Sequence, residues 1–369
     1  MANDVYGRLA KHLSSLGMGY PEKEELTDIL RENFAPLEAE VALALPTKVI
    51  PFEPVPVGKI SSLPDLPKVD LEKILSNLAQ RGLLFSRKLK GGGTGYALQQ
   101  FGYGFPQTFF WKGVNTPNAK RMAELIAKYS RTEQLQEAYG KTKTKAFRYL
   151  PASQSIEPEQ HAVFPFEMME EVIRKVHSIA VVHCPCRATA HLIGKKRCDH
   201  PLENCIKYDD LAEYLIEKGI GKEITQQEAL DLIHRAEQAG LVHLVDNARE
   251  GIKHTCNCCG CCCWSVGTIR RRRIPRDVLM ATYFLRETDT EKCSGCGQCV
   301  DICPVDAIKM EGDFPSVDRE WCIGCGVCAV PCPSSAVRLV RKSDAIPPKG
   351  FKELHRQILK EKRGVPHGA

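Results

Sequence analysis

CSGCGQCVDICP at 293–304 and CIGCGVCAVPCP at 322–333 carry one cysteine pattern written twice. The first copy is Cys293-x2-Cys296-x2-Cys299-x3-Cys303-Pro304. The second, Cys322-x2-Cys325-x2-Cys328-x3-Cys332-Pro333, repeats every cysteine 29 residues later. The likeness extends past sulfur: Asp289 matches Asp318, Gly295 matches Gly324, Gly297 matches Gly326, and Ala307-Ile308 matches Ala336-Val337. Two such runs read as two 4Fe–4S clusters, so the C-terminal third moves electrons one at a time.

The spacing has a physical basis. Thiolates two residues apart wrap a tight loop around one face of a cube of iron and sulfide. Gly295, Gly297, Gly324 and Gly326 let that backbone take positive φ and turn amide N–H groups toward sulfur. Pro304 and Pro333 end the loops. Val300, Ile302, Val305, Ile308, Ile323, Val327, Val330 and Val337 supply an apolar shell that limits water and helps set the potential. Structural zinc also uses Cys-x2-Cys pairs, but it does not need three cysteines at this spacing plus a fourth before proline, twice in tandem. Residues 287–340 resemble bacterial dicluster ferredoxins. The resemblance implies that Cys293, Cys296, Cys299 and Cys332 hold one cluster, and Cys322, Cys325, Cys328 and Cys303 the other.

A chain of 369 residues with ordinary apolar content suggests two or three domains and a sizeable core. Eighteen cysteines would suggest disulfides in a small secreted protein. Here the first residues, with Asp4 and Arg8, lack the apolar run of a signal peptide, and no stretch reaches the length of a membrane span. The expectation is a reducing cytoplasm with metal-bound thiolates. The formal charge of +6 counts every cysteine as neutral. Each thiolate-held cluster brings roughly −2, so two clusters leave the loaded chain near +2 and a third leaves it near neutrality. Basicity is therefore weak evidence for nucleic acid.

The expected fold class is α+β: a winged-helix-like helical domain, a cysteine-rich helical middle domain and a ferredoxin-like dicluster domain. In residues 1–112, Glu38–Leu45 forms a short helix before a Pro-rich connector. Leu71, Ile74, Leu75 and Leu78 then mark one face of a helix over 69–81, capped by Gly82. Leu83–Lys90, the Gly91-Gly92-Gly93 turn and Tyr96–Leu98 read as a β-hairpin. This order resembles the recognition helix and wing of winged helix-turn-helix proteins. Arg81, Arg87, Lys88 and Lys90 suit phosphates, whereas Asp70 and Glu72 sit where base edges would be read, and such folds also dock proteins. Residues 113–165 hold a helix over 118–139 and a Pro-rich linker over 150–165. The cysteine-rich region spans 166–286, with a helix over 167–177, and the dicluster region 287–340. The basic tail, 341–369, carries a charged helix over about 349–363 that is expected to fray.

The middle cysteines fall into two groups. Cys184, Cys186, Cys198 and Cys205 follow the apolar run Ile179–Val182; Cys256, Cys258, Cys259, Cys261, Cys262 and Cys263 follow the helix 225–239, whose Thr225 and Glu228 form a capping box. Six cysteines within eight residues are too many to be packing residues alone. One or more additional Fe–S clusters is the preferred reading, with zinc as the alternative. The preferred partition keeps each group to its own centre, and a centre sharing ligands between groups is the other. Cys258-Cys259-Gly260 is similar to the CCG motif of heterodisulfide reductase subunits, without that motif's wide downstream spacing. His183, His191, His200, His243 and His254 stand near cysteines, more as supporting residues than as ligands. Arg187 and Arg270–Arg273 suit an anionic cluster or an acidic partner.

Taken together, the winged-helix-like start, "CPCR", "CNCCGCCC" and the double run resemble uncharacterised 4Fe–4S dicluster-containing proteins of anaerobic bacteria. The implied function is a cytoplasmic multi-cluster electron carrier, a subunit or donor of a larger oxidoreductase. The alternatives are a redox-responsive DNA-binding regulator and an oxidoreductase whose middle cluster binds substrate. No nucleotide site is expected: Gly91–Gly95 lacks the Lys-Ser/Thr of a P-loop.

Overall fold

The computed structural model describes residues 4–60, 66–130, 132–156, 167–342 and 344–364. Most of the linker expected at 150–165 lies outside them.

The N-terminal elements follow the sequence closely. Asp4 caps the helix Val5–Ser14, and helices Glu24–Asn33 and Pro36–Leu43 follow. The face marked by Leu71, Leu75 and Leu78 is buried on the helix Lys68–Gln80. Strands β1 (Val55–Pro56), β2 (Leu84–Lys88) and β3 (Thr94–Leu98) form a sheet in the order β1-β3-β2. This hairpin packs inward: the Tyr214 hydroxyl donates to the carbonyls of Ala79 and Leu84, and Arg87 pairs with Asp210 at 2.7 Å. The helix expected over 118–139 is two helices, Pro117–Tyr129 and Thr132–Gly140. Ser130 leaves the helical region at ψ 48° and ends the first.

The middle region departs from the helical expectation. Its scaffold is a six-stranded antiparallel sheet in the order β4-β8-β9-β6-β5-β7. The strands are β4 (Phe147–Leu150), β5 (Ile179–His183), β6 (Glu203–Tyr208), β7 (Lys222–Glu223), β8 (Val242–Asp246) and β9 (His254–Cys258). The physical reason is that cysteine packs as a small hydrophobe. Cys256-Asn257-Cys258 therefore alternates as a strand does, with sulfur on one face and the buried Asn257 amide on the other. Helices Met169–Arg174, Pro185–Leu192, Asp209–Glu217 and Gln226–Gln238 surround the sheet, the last with the expected Thr225–Glu228 capping box.

The C-terminal module pairs β10 (Phe284–Thr288) with β13 (Val337–Arg341), and β11 (Ile308–Glu311) with β12 (Phe314–Val317). It is docked on the sheet region at close quarters. A Cβ on Gly260 would stand 1.9 Å from the Pro304 carbonyl oxygen, so no larger residue fits there without displacing backbone. The buried Arg148 of β4 and Arg341 of β13 both reach Glu167, at 2.6 and 3.3 Å.

The C-terminal helix, Phe351–Gly364, is not a frayed end. Phe351, Leu354, His355 and Ile358 are buried, each apolar one contributing about 1.5–3 kcal/mol. Tyr103 and His355 share a hydrogen bond of 2.7 Å, and Lys362 donates to the carbonyls of Ser14 and Leu16. One continuous apolar cluster joins Leu9, Leu75, Phe101, Tyr214, Val327 and Leu354. No helix among the described residues is long and apolar enough to cross a membrane.

Candidate metal centres

The two ferredoxin-type loops turn where the sequence requires. Gly295, Gly297, Gly324 and Gly326 all have positive φ. Gly297 and Gly326 precede the short helices Gln298–Asp301 and Val327–Ala329, which carry the third cysteine of each run. Cys293, Cys296, Cys299 and Cys332 line one cavity, which brings the last cysteine of the second run to the first three of the other. Cys303 in turn faces Cys322, Cys325 and Cys328.

The surroundings fit anionic clusters. The amides of Ala307 and Ala336 donate to the Sγ atoms of Cys303 and Cys332, both at 3.3 Å. Arg286, buried, donates through Nη2 to Cys299 Sγ at 3.6 Å, and its charge also acts on Cys328. Burial pushes Cys325 well above the ordinary thiol range and Cys328 up to about 12. Such thiols become thiolates only with metal charge beside them. The centres differ in access: Cys296 is exposed, whereas Cys322, Cys325 and Cys328 are all buried.

The middle cysteines regroup across the two sequence stretches. Six form a closed ring in which Cys184 neighbours Cys186 and Cys205, Cys205 neighbours Cys256, Cys256 neighbours Cys258, and Cys263 closes between Cys258 and Cys186. Cys184, Cys256 and Cys263, each beside two neighbouring thiols, are held well below the ordinary range. Cys186, Cys205 and Cys258, buried beside those same sulfurs, are pushed well above it. The remaining four, Cys198, Cys259, Cys261 and Cys262, stand together with every Sγ within 4.8 Å of the others. The preferred partition would have kept Cys198 with Cys184, Cys186 and Cys205. The structure instead places it against the turn 259–262.

The sheet positions the ring. Cys205 and Cys256 are register partners on β6 and β9, and Cys258 lies two residues on, on the same face. Cys184 stands at the N-cap of the helix Pro185–Leu192, where the charge and the backbone of Arg187 help to lower its pKa. The amide of Val266 reaches Cys263 at the next helix start. Helix starts favour thiolate over thiol.

Buried cations surround the six sulfurs, which is the charge pattern an anionic metal–thiolate centre needs. Arg187 is fully buried and donates to the carbonyls of Pro201 and Asn257, with Cys184, Cys205 and Cys259 as its counter-charges. Its Nε has no hydrogen-bond partner among the described residues. Lys207 acts on Cys256 and lies over the Trp111 ring at 4.6 Å. Burial opposes the charged form of His254, but Asp246 at 3.2 Å, with Cys256, raises its pKa to about 9. His243 bonds Asn257 and Glu237 instead of a thiol. His183 stands 3.9 Å from Glu203, and the pKa of His200 is lowered by burial and by Arg187. Of the basic run, Arg270 pairs with Asp306 at 2.7 Å, and Arg272 donates to the carbonyls of Val305 and Asp306. The run therefore clamps the ferredoxin-type module to the sheet region.

One residue that sequence reasoning missed connects the centres. Tyr149 of β4 is buried, and its hydroxyl has no hydrogen-bond partner among the described residues. Burial, then Cys263, Cys258 and Cys325, push its pKa far up, so cysteines of both the six-thiol ring and the buried ferredoxin quartet act on it. Its neighbour Ala152 donates its amide to the Cys325 carbonyl at 2.9 Å. Arg286 likewise acts on cysteines of both ferredoxin quartets. Nothing in the sequence near Tyr149 signals sulfur, since its ligand neighbours are more than a hundred residues away.

Residues 287–309 and 315–338 match the family described as the 4Fe-4S binding domain. No curated protein and no solved structure gives a significant match to the chain. The chain is an iron–sulfur electron-transfer protein with a ferredoxin-type domain at residues 287–338.

Proposed function

We propose that electrons enter at the exposed ferredoxin cluster, held by Cys293, Cys296, Cys299 and Cys332. They pass to the buried quartet of Cys303, Cys322, Cys325 and Cys328, and then past Tyr149 to a further iron–sulfur centre in the six-thiol ring. In this reading the protein is a subunit or dedicated donor of a larger oxidoreductase, working in a reducing cytoplasm. The observation that supports it is the contrast in access between Cys296, which is exposed, and Cys303, Cys322, Cys325 and Cys328, which are all buried. The ring would hold iron through its thiolates and transfer electrons by one-electron steps; Arg187, Lys207 and His254 would balance its charge and raise its potential.

The test is reduction followed by stopped flow in the wild type and in Cys296→Ser. The reading expects the exposed cluster to reduce first and the buried centres to lose their route in the variant. Unchanged reduction of the buried centres by a protein donor would reject it. Co-purification with a flavoprotein or metalloenzyme would support the subunit role.

A second reading, substrate reduction at the ring, is favoured by a surface cleft. Asn115, Lys120, His183, Ala188 and His191 line it beside the turn that carries Cys184 and Cys186. A spectroscopic change confined to the ring centre when small substrates are added would favour this reading.

A further inference from the structure

We propose that Cys198, Cys259, Cys261 and Cys262 hold a single zinc ion, separate from the six-thiol centre and outside the electron route. The reading goes beyond the function proposed above and stands on geometry of its own.

The argument begins with size. A zinc–thiolate bond of about 2.3 Å in a tetrahedron places neighbouring sulfurs ~3.8 Å apart. Cys198 and Cys262 are 3.8 Å apart, and all four sulfurs lie within 4.8 Å of one another. The two ferredoxin quartets provide an internal scale. Neither brings even three of its sulfurs inside that limit among the described residues. A four-iron cube gives each thiolate its own iron and so holds the sulfurs apart, whereas one ion draws all four to a common point. The compact quartet has the dimensions of the second case, and the donor set, four cysteines with no open position, is that of closed structural zinc sites.

The location explains what such an ion does. Cys198 lies in the segment 195–202, which has no regular secondary structure and whose residues 194–197 and 199 are exposed. Its end is held where the Pro201 and Leu202 carbonyls accept from Arg187 and from the Cys184 amide. Before that its attachments are Arg197, which donates to the Cys261 carbonyl at 3.2 Å, and Cys198, which joins a small apolar group with Ala236, Leu241, Cys259 and Cys262. A metal ion here ties this loop to the turn 259–262 and fixes where Cys263 enters the ring. Zinc has no redox chemistry, so it orders the ligand turn without accepting electrons. Arg187 stands between the two sulfur groups and neutralises both, since its side chain reaches Cys259 as well as Cys184 and Cys205.

The experiment measures zinc, iron and acid-labile sulfide in full-length chains purified without oxygen. It compares the wild type with Cys198→Ser, in a surface loop, and with the double variant Cys261→Ser, Cys262→Ser. The expected result is about one zinc per wild-type chain. Both variants should lose that zinc with iron, sulfide and visible cluster absorption unchanged, and proteolysis at Lys195–Arg197 should be several-fold faster. Growth in cobalt with little zinc should give the wild type the absorption of tetrahedral cobalt thiolate. Loss of iron and sulfide together in Cys198→Ser would overturn the proposal by making the quartet a cluster. Loss of iron without sulfide would overturn the choice of zinc. If the double variant does not fold, Cys198→Ser and the cobalt spectrum decide alone. Electron entry is read separately in Cys296→Ser, so failure of that route leaves the zinc result standing.

Discussion

The ferredoxin-type module and the six-thiol ring gather their cysteines by opposite strategies. In the module, each loop supplies three of its four ligands from a few consecutive residues, and only Cys303 and Cys332 cross over. In the middle, the six cysteines of the ring do not come from one stretch. The ring takes Cys184 and Cys186 from a helix start, Cys205 from β6, Cys256 and Cys258 from β9, and Cys263 from the turn beyond. The first arrangement is fixed by local chain geometry. The second exists only once a sheet has formed in register, so its metal chemistry depends on long-range folding.

That contrast can be broken most directly through the ligands. The double variant Cys186→Ser, Cys263→Ser should lose the iron of the ring while keeping about eight irons in the two ferredoxin clusters, measured by metal and sulfide analysis. Loss of all iron would show that the two regions fold and load as one unit.

Next in size is Arg187. Replacing it by Met leaves neighbouring thiolates without their buried counter-charge, at a cost of about 3–5 kcal/mol in chemical denaturation. The ferredoxin clusters should retain their potentials. Arg286→Gln sharpens the comparison from the other side. It removes a charged donor near both ferredoxin quartets, and their potentials should fall by roughly 60 mV, a tenfold shift in a one-electron equilibrium. Spectroelectrochemistry should show the ring centre unmoved. The smallest effect belongs to Tyr149→Phe, which deletes a hydroxyl that has no hydrogen-bond partner among the described residues. Stability should change by less than about 1 kcal/mol, read from a denaturation midpoint. A large loss would mean that the hydroxyl serves the sulfur centres.

Legibility in the sequence followed the same division. The loops at 293–304 and 322–333 were readable because their spacing is a local property, and the hairpin at 84–98 and the capping box at Thr225 were readable for the same reason. The sheet was missed where cysteine stood in for the usual strand residues: Cys256-Asn257-Cys258 reads as a ligand cluster before it reads as alternation. The partner of Cys198 was also hidden, since a 64-residue separation says nothing of which turn the loop meets. The terminal helix was undervalued because its charged residues mask the buried stripe of Phe351, Leu354, His355 and Ile358.

The register of β6 and β9 has a consequence for assembly. Cys205 opposes Cys256, and a slip of one residue would turn Thr255 or Ile206 toward the sulfur face. Such a chain could bury much of the same apolar surface and still present too few thiolates to retain the ring's metal. For the iron centre proposed in the ring, metal retention would be a proofreading step: it would capture the correctly paired sheet and leave mispaired chains colourless in that centre. The iron content of a preparation would then also count how many of its molecules have threaded their strands correctly.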